Sequence, residues 1–378
     1  MARKSGHHPA AKHTPVARHA AHSRRGDRNV ARVGIGRRHR RAAMPRAIAQ
    51  PAAVPSPVPV QASMLELPGL QRHPGRLELR RRTIIACSNQ PTARRGERSS
   101  RRAASREFVM PTARQLRDFE ATIRAHPQWP RALCFGDSWF NYPLAPVDLH
   151  KQLRRGFRRT AFLNESKAGR ESADIKELLP GLRRLLSSYR FTALLVSMGG
   201  NDVVGGELAE YVKPADEPQS PYDPRWGVVP ASVRDHIRLS AFEQALRYVV
   251  EDFQRVIDAR NALAPDCELV VHNYDHVFPS GKSFKLLGRK AGPWIKPYLD
   301  GVGLTDPLRQ RESCAWLIDQ FTRMLDALVT QTPRMRLVDG RGTLRHAGEW
   351  DNEIHPKGPG FRKLAQSRWQ PVLAGLLR

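Results

Sequence analysis

Short apolar runs alternate with stretches of helical periodicity along most of the chain after about residue 115. Each run is nearly all apolar, as expected of strands that are covered on both faces. Alternation of this kind is typical of an α/β domain with a parallel sheet. We therefore predict a mostly parallel five-stranded sheet, with strands at 132–135, 161–163, 193–198, 268–272 and 335–338.

Apolar residues recur at helical spacing between these runs, which predicts amphipathic helices that face the core. One helix is expected over about 175–186, where Pro180 splits or kinks it. A regular stripe runs from Phe242 to Ile257, and further helices are predicted over 311–328 and 361–376.

Two long connections, 212–240 and 274–305, interrupt the alternation. Long structured loops at one edge of an α/β sheet usually build the ligand pocket, so both are expected to contribute to it. Asn273 and Asp275 are candidates to face that pocket because they follow a predicted strand. Aromatic residues that could line it or simply pack are Trp139, Phe140, Tyr142, Phe278, Trp294 and Tyr298.

Positive charge is concentrated in the first 109 residues, which contain 24 of the 63 lysines and arginines but 5 of the 36 acidic residues. This part is rich in His, Arg, Ala and Pro and lacks a periodic apolar pattern. Such a composition buries too little apolar surface to offset the entropy of ordering. We expect a long disordered basic segment over 1–109 and one folded domain over 110–378.

Four interpretations of the basic segment stay open. It could be a solvated tail, or the true start could be Met110. It could also be an arm that binds nucleic acid or an anionic surface weakly through counterion release. A targeting peptide is the fourth, although no continuous apolar stretch follows the first basic residues.

No run approaches the roughly 18 apolar residues that a transmembrane helix needs. The four cysteines, Cys87, Cys134, Cys267 and Cys314, have neither metal-ligand spacing nor a dense disulfide pattern. Cys134 and Cys267 lie in or beside apolar runs and are expected in the core. A cytoplasmic location is therefore expected, and export is compatible with the same sequence.

Two predicted strands run directly into polar residues at their carboxyl ends. The first is followed by Gly136-Asp137-Ser138, and the third by Gly199-Gly200-Asn201-Asp202. Ligands of open α/β sheets bind at this edge, and glycine permits a tight turn that exposes the next side chain. Each motif alone is also ordinary turn or cap chemistry, so neither decides the function by itself.

A histidine completes the set near the end of the chain. His355 follows Asp351, Asn352 and Glu353 and precedes a proline. A histidine with a nearby carboxylate can be oriented and stabilised in its charged form, as a general base needs.

These motifs, taken in order, resemble those of the SGNH (GDSL) hydrolase superfamily over roughly residues 131–378. Ser138 is similar to the nucleophile of its first block and Gly169 to the second-block glycine. Asn201 is similar to the third-block asparagine, and His355 to the fifth-block histidine. The resemblance implies a three-layer α/β/α, flavodoxin-like fold.

One position departs from the family pattern, which places an aspartate three residues before the histidine. Here that residue is Asn352, flanked by Asp351 and Glu353. Either a bulge brings Asp351 to His355, or Asn352 orients the ring through its amide oxygen, or serine and histidine act as a pair. We prefer Asp351.

The resemblance implies hydrolysis of carboxylic esters without a metal or organic cofactor. Ser138 would attack, His355 would be the base, and the oxyanion would be held by the N–H groups of Ser138 and Gly169 and by the Asn201 amide. The expected partner is a small-molecule, lipid or carbohydrate ester. A protein that binds nucleic acid or an anionic surface through 1–109, with an inactive hydrolase body, is the alternative.

Overall fold

A computed structural model describes residues 113–142, 148–219, 223–286 and 289–378. Residues 1–109, for which disorder is expected, lie outside the described residues, and so does Cys87. The division into a basic segment and a folded domain therefore stays a prediction.

The centre of the fold is a parallel sheet of five strands in the order β2-β1-β3-β4-β7. All five predicted strands form, and each lies beside its neighbours in parallel register. The strands are β1 (Arg131–Gly136), β2 (Ala161–Ser166), β3 (Ala193–Ser197), β4 (Glu268–His272) and β7 (Met335–Val338). The short β5 (Phe284–Leu286) and β6 (Arg289–Ala291) pair separately as an antiparallel hairpin.

Helices cover both faces of the sheet, so the predicted three-layer α/β/α fold is confirmed. α3, α7 and α9 pack together, and α2 packs on α10 and the turn that follows it. The longer helices are α1 (Ala113–Ala125), α2 (Leu149–Gly156), α3 (Ile175–Ser188), α7 (Leu239–Leu263) and α9 (Pro307–Gln331). The shorter ones are α4 (Gly200–Val204), α5 (Leu208–Tyr211), α6 (Ala231–His236), α8 (Lys296–Gly301), α10 (Gly358–Leu364) and α11 (Gln370–Leu373).

Two helices differ in detail from the prediction. α3 continues through Pro180 and is not split. The last helix is interrupted between α10 and α11 by a π-helical segment, Ala365–Trp369. At the end of this segment the Gln370 N–H donates to the Ala365 carbonyl, five residues back, and Pro371 follows with no N–H to donate.

The core lies between the sheet and these helices. All five residues of β3 are buried, and so are all five of β4. Cys134, Cys267 and Cys314 are buried free thiols. The prediction that Cys134 and Cys267 lie in the core is therefore confirmed. Among the described residues, no helix has the length and apolar character that crossing a membrane requires.

Candidate functional site

Ser138 lies at the carboxyl edge of the sheet, in a turn that begins at the last residue of β1. Gly136 has a φ of 130°, and a Cβ there would lie 1.8 Å from the Ser197 carbonyl oxygen. Glycine is therefore required for this turn. The Asp137 N–H donates to the same carbonyl at 2.9 Å, so the serine is held against the end of β3.

His355 comes to Ser138 on a tight loop that precedes α10. Trp350 and Pro356 form an antiparallel bridge across the loop, and the Asp351 N–H donates to the His355 carbonyl at 2.8 Å. The loop brings the His355 Nε2 atom to 2.7 Å from the Ser138 Oγ atom. Both side chains are about 95% buried, so the contact is largely shielded from solvent.

The other ring nitrogen of His355 faces Asn352 and not Asp351. Asn352 Oδ1 lies 3.0 Å from His355 Nδ1 and accepts the backbone N–H of His355 at 3.0 Å and of Ile354 at 3.1 Å. Asp351 is exposed and accepts a hydrogen bond from the Tyr142 hydroxyl at 2.7 Å. The geometry therefore corrects the preference for Asp351, because the Asn352 side chain folds back under the loop and fills the place beside the ring.

The imidazole is neutral in this environment. Burial lowers the pKa of His355 to about 3, because the charged ring would lose its hydration. The side chain directly beside Nδ1 is an amide, which orients the ring but provides no negative charge.

A buried polar cluster lies behind the serine. Asp137 accepts from the Ser197 hydroxyl at 2.5 Å and from the Trp139 N–H at 3.0 Å, and the Tyr274 hydroxyl donates to its other oxygen. His272 Nε2 lies 2.8 Å from the Ser197 Oγ atom. Burial raises the pKa of Asp137 to about 6 and lowers the pKa of His272 to about 4. These groups fix the turn that carries Ser138.

Asn201 reaches the same cleft from the first turn of α4. Its Nδ2 donates to the Arg170 carbonyl at 2.8 Å, which fixes the side chain and leaves its second amide hydrogen for another acceptor. The next residue, Asp202, accepts from the Ser172 N–H at 3.0 Å and from its hydroxyl at 2.8 Å. Gly169 lies in the loop after β2 with a φ of 77°.

A narrow cleft opens beside the serine and the histidine. Among the residues that the structure describes, its lining comprises Asp137, Ser138, Trp139, Gly200, Asn201, Val204, Tyr274, Val277, Ile354 and His355. Gly169 is outside this lining set. The described part of connection 212–240 provides no lining residue, so the expectation that this connection helps to build the pocket is not met there.

The second long connection does reach the site, and Glu353 holds it there. This buried carboxylate accepts four backbone N–H groups of the connection, from Gly281, Trp294, Ile295 and Lys296, at 2.6 to 3.0 Å. The Trp294 ring lies 5.9 Å from the His355 ring, centre to centre. In the sequence Glu353 is only a neighbour of the histidine, and no spacing rule indicates its role as a loop anchor.

Asn273 and Asp275 do not face the cleft. Asn273 contacts Thr322, Asp339 and Gly340 in the interior, and Asp275 accepts backbone N–H groups of Gly342 and Leu344. Both therefore join the end of β4 to the loop after β7.

The aromatic residues that follow the serine were expected either to line the pocket or to pack in the core, and both cases occur. Trp139 lines the cleft. Phe140 is fully buried and packs on Trp369 in the core, with ring centres 5.5 Å apart.

No group of three or more His, Cys, Asp or Glu side chains in the described ranges is arranged to hold a metal ion.

No family model and no curated protein matches the chain. Among solved structures, it is similar to an extracellular lipase from Streptomyces rimosus, at 16% identity and a TM-score of 0.40, covering 65% of this chain and 99% of that one. It is also similar to a lipase from goat rumen metagenome, at 14% identity and a TM-score of 0.40, over 66% and 99% of the chains.

A third similar structure is phospholipase A1 from Streptomyces albidoflavus, at 12% identity and a TM-score of 0.39, over 66% and 99% of the chains. At these identities and TM-scores the likeness says nothing about activity. The function therefore has to be inferred from the geometry of the site.

Proposed function

We propose that the protein hydrolyses carboxylic esters through an acyl-enzyme on Ser138. The observation that carries the proposal is the 2.7 Å contact between Ser138 Oγ and His355 Nε2 at the carboxyl edge of the sheet, with Asn352 Oδ1 at Nδ1. A hydroxyl that donates to an oriented imidazole is the arrangement of an activated nucleophile.

In the first step the Ser138 oxygen bonds to the ester carbonyl carbon while its proton passes to His355 Nε2. The negative charge that develops on the carbonyl oxygen would be met by the backbone N–H of Ser138 and by the Asn201 amide, which line the cleft. The backbone N–H of Gly169, which lies outside the cleft lining, is the third candidate donor. Of these, Asn201 has the strongest support, because it lines the cleft and its Nδ2 is already fixed through Arg170.

Collapse of the tetrahedral intermediate breaks the bond to the alcohol, which leaves with the proton held on His355. Water then donates a proton to the same nitrogen as its oxygen attacks the acyl carbon. When the bond to Ser138 breaks, His355 returns that proton to the Ser138 oxygen and the carboxylic acid is released. Each proton that His355 accepts is returned within the same half-reaction.

The expected substrate is an ester with a short acyl group. Val204, Val277 and Ile354 narrow the cleft beside Ser138, and apolar walls of this kind favour a small apolar acyl chain. The alcohol portion, whether from a carbohydrate, a lipid or a simple ester, would lie outside this narrow part.

The test is hydrolysis of p-nitrophenyl acetate, butyrate and octanoate by the full chain. Ser138→Ala and His355→Ala should each lower kcat at least about 10³-fold, because each removes a partner in proton transfer. Acetate should be cleaved with a higher kcat/KM than octanoate. The matched controls are Ser187→Ala and His126→Ala, at positions remote from the cleft, which should keep the wild-type rate.

Labelling with a fluorophosphonate separates a wrong substrate from a wrong function. Covalent modification of Ser138 without turnover of the three esters would mean a narrower substrate range. If the protein neither cleaves an ester nor is modified at Ser138, the proposal is contradicted. The alternative, binding of nucleic acid or an anionic surface through 1–109, would then be favoured.

A further inference from the structure

The hydrogen bonds around Asn352 have only one consistent direction. Asn352 Oδ1 faces the backbone N–H groups of Ile354 and His355, so this end of the amide must be the oxygen. His355 Nδ1, 3.0 Å from the same oxygen, must then carry the ring hydrogen. Nε2 is left with its lone pair towards Ser138, which is the tautomer that a general base needs.

The other end of the amide continues the chain to Tyr142. Asn352 Nδ2 donates to the Tyr142 hydroxyl oxygen at 2.9 Å, and that hydroxyl donates to Asp351 Oδ2 at 2.7 Å. Every hydrogen bond from Ser138 outwards therefore points the same way and ends on a carboxylate. Bonds arranged head to tail polarise one another, which favours positive charge on the imidazole at the inner end.

The Tyr142 ring also packs on the histidine. The two rings are stacked, with centres 4.1 Å apart and planes 13° apart, and Tyr142 is 1% exposed. Burial, with a further contribution from the hydrogen bond to Asp351, raises the pKa of Tyr142 above its ordinary value of 10. Its hydroxyl therefore remains protonated and can donate to Asp351 throughout the neutral range.

We propose that Tyr142 is a positioning residue of the Ser138–His355 pair, and that Asp351 acts as the terminal acceptor of the chain through Tyr142 and Asn352. The inference rests on the proposed function for its kinetic consequence. Its structural content, the polarised hydrogen bond from His355 Nδ1 to Asn352, does not depend on that function.

Tyr142→Phe tests the hydroxyl alone, because phenylalanine keeps the stacked ring. Without its acceptor, the Asn352 amide is held at one end only. We expect kcat to fall about tenfold, which corresponds to about 1.4 kcal/mol, with KM nearly unchanged. Asp351→Asn should act in the same direction and by less, because Asp351 is exposed and its charge is screened.

Tyr142→Phe in an Asn352→Asp background separates a positioning role from a general loss of structure. A carboxylate at position 352 places negative charge directly beside the ring, so the imidazole depends less on the chain through Tyr142 to Asp351. Tyr142→Phe should then cost less than about threefold in that background. An equal loss in both backgrounds, or no loss in the wild type, would overturn the proposal.

A measurement independent of turnover completes the test. In protein labelled with ¹⁵N-histidine, the ring nitrogens of His355, assigned with His355→Asn, should report the Nδ1–H tautomer in both the wild type and Tyr142→Phe, because Ile354 and His355 still fix Asn352 Oδ1. The Nδ1–H proton resonance should move upfield in Tyr142→Phe, because the hydrogen bond to Asn352 is no longer polarised by the chain to Asp351. An unchanged Nδ1–H resonance in the variant contradicts the inference, whether or not the protein cleaves an ester. Absent turnover and absent labelling of Ser138 contradict only the proposed function.

Discussion

Asn352 determines how the activity of the proposed site should depend on pH. The base must be neutral to accept a proton, so activity is lost as pH falls through the pKa of His355. Because burial lowers that pKa to about 3, wild-type kcat/KM should show no inflection from His355 between pH 4 and 8. Replacing the neutral amide by a carboxylate in Asn352→Asp should raise the pKa of His355 by on the order of 1–3 units and bring the acid limb into this range.

The groups around His355 make this inflection assignable. Those in contact with the ring are neutral. The acidic side chains around it include Asp351, beyond the Tyr142 hydroxyl, Asp137, behind Ser138, and Glu353, which accepts the Trp294 N–H. With its pKa raised to about 6, Asp137 can produce a limb of its own, which should be common to the wild type and Asn352→Asp. Superimposable profiles for the two proteins would mean that residue 352 does not control the base.

The sequence predicted which residues meet at the site better than it predicted their contacts. Ser138, Asn201 and His355 follow from glycine-containing strand ends and from the order of the motifs, because parallel strands present their carboxyl ends at one edge. The choice between Asp351 and Asn352 does not follow, because it depends on how the loop between Trp350 and Pro356 closes.

The connection between β4 and α9 has four backbone N–H groups bonded to one side chain, that of Glu353. Glutamine at position 353 has one acceptor oxygen in place of two, and its amide hydrogens would face backbone N–H groups that are also donors. Glu353→Gln should therefore lower the free energy of unfolding by roughly 1–3 kcal/mol and speed hydrogen exchange in 281–286 and 289–296.

Hydrogen exchange followed by mass spectrometry, with p-nitrophenyl acetate turnover in parallel, checks this prediction. Glu349→Gln is the matched control, since Glu349 belongs to the same loop and pairs with Lys363 and not with the connection. If exchange in the connection is unchanged in Glu353→Gln, the four hydrogen bonds do not hold it against the site.

Strands and long helices were predictable because their signal is local. A parallel strand buried on both faces is a short apolar run, so the predicted strands agree with β1, β2, β3, β4 and β7 to within three residues at each end. The hairpin of β5 and β6 carries lysines and arginine among apolar residues, and the sequence therefore predicts only a loop there. Its position depends on contacts such as that of Phe284 with Tyr142, whose rings are 6.1 Å apart.

For the molecule as a whole, buried ionisable groups link stability to pH. Burial raises the pKa of Asp137 to about 6 and also raises the pKa of Asp275, so both carboxyl groups hold a proton more readily in the folded protein than in the unfolded chain. Buried neutral histidines have the opposite effect on the pH dependence of stability, because folding lowers their pKa and so prevents them from taking up a proton. Acid therefore favours the unfolded chain wherever such a histidine is present.

His150 is the most suitable histidine for testing this link, because it lies outside the proposed site. Burial, with smaller contributions from Arg154 and Lys151, lowers its pKa from 6.5 to about 3. Between these values the unfolded chain binds a proton that the folded protein does not, so stability falls as pH falls from 6.5 towards 3. One such group contributes a slope of up to about 1.4 kcal/mol per pH unit.

His150→Phe should remove that slope at little cost at pH 7. Phenylalanine keeps a planar ring at this position, and the buried Nε2 atom of His150 has no hydrogen-bond partner among the described residues. The Asn164 Nδ2 atom loses its 3.3 Å contact with His150 Nδ1 but still donates to the Phe140 carbonyl at 3.1 Å. Urea denaturation from pH 4.5 to 7.5 should therefore show the variant gaining stability relative to the wild type as pH falls, with His126→Phe as the control for the substitution itself. Parallel curves for His150→Phe and the wild type would mean that His150 takes up its proton equally in both states, and the acid sensitivity of the fold would then have to come from His272 and His355.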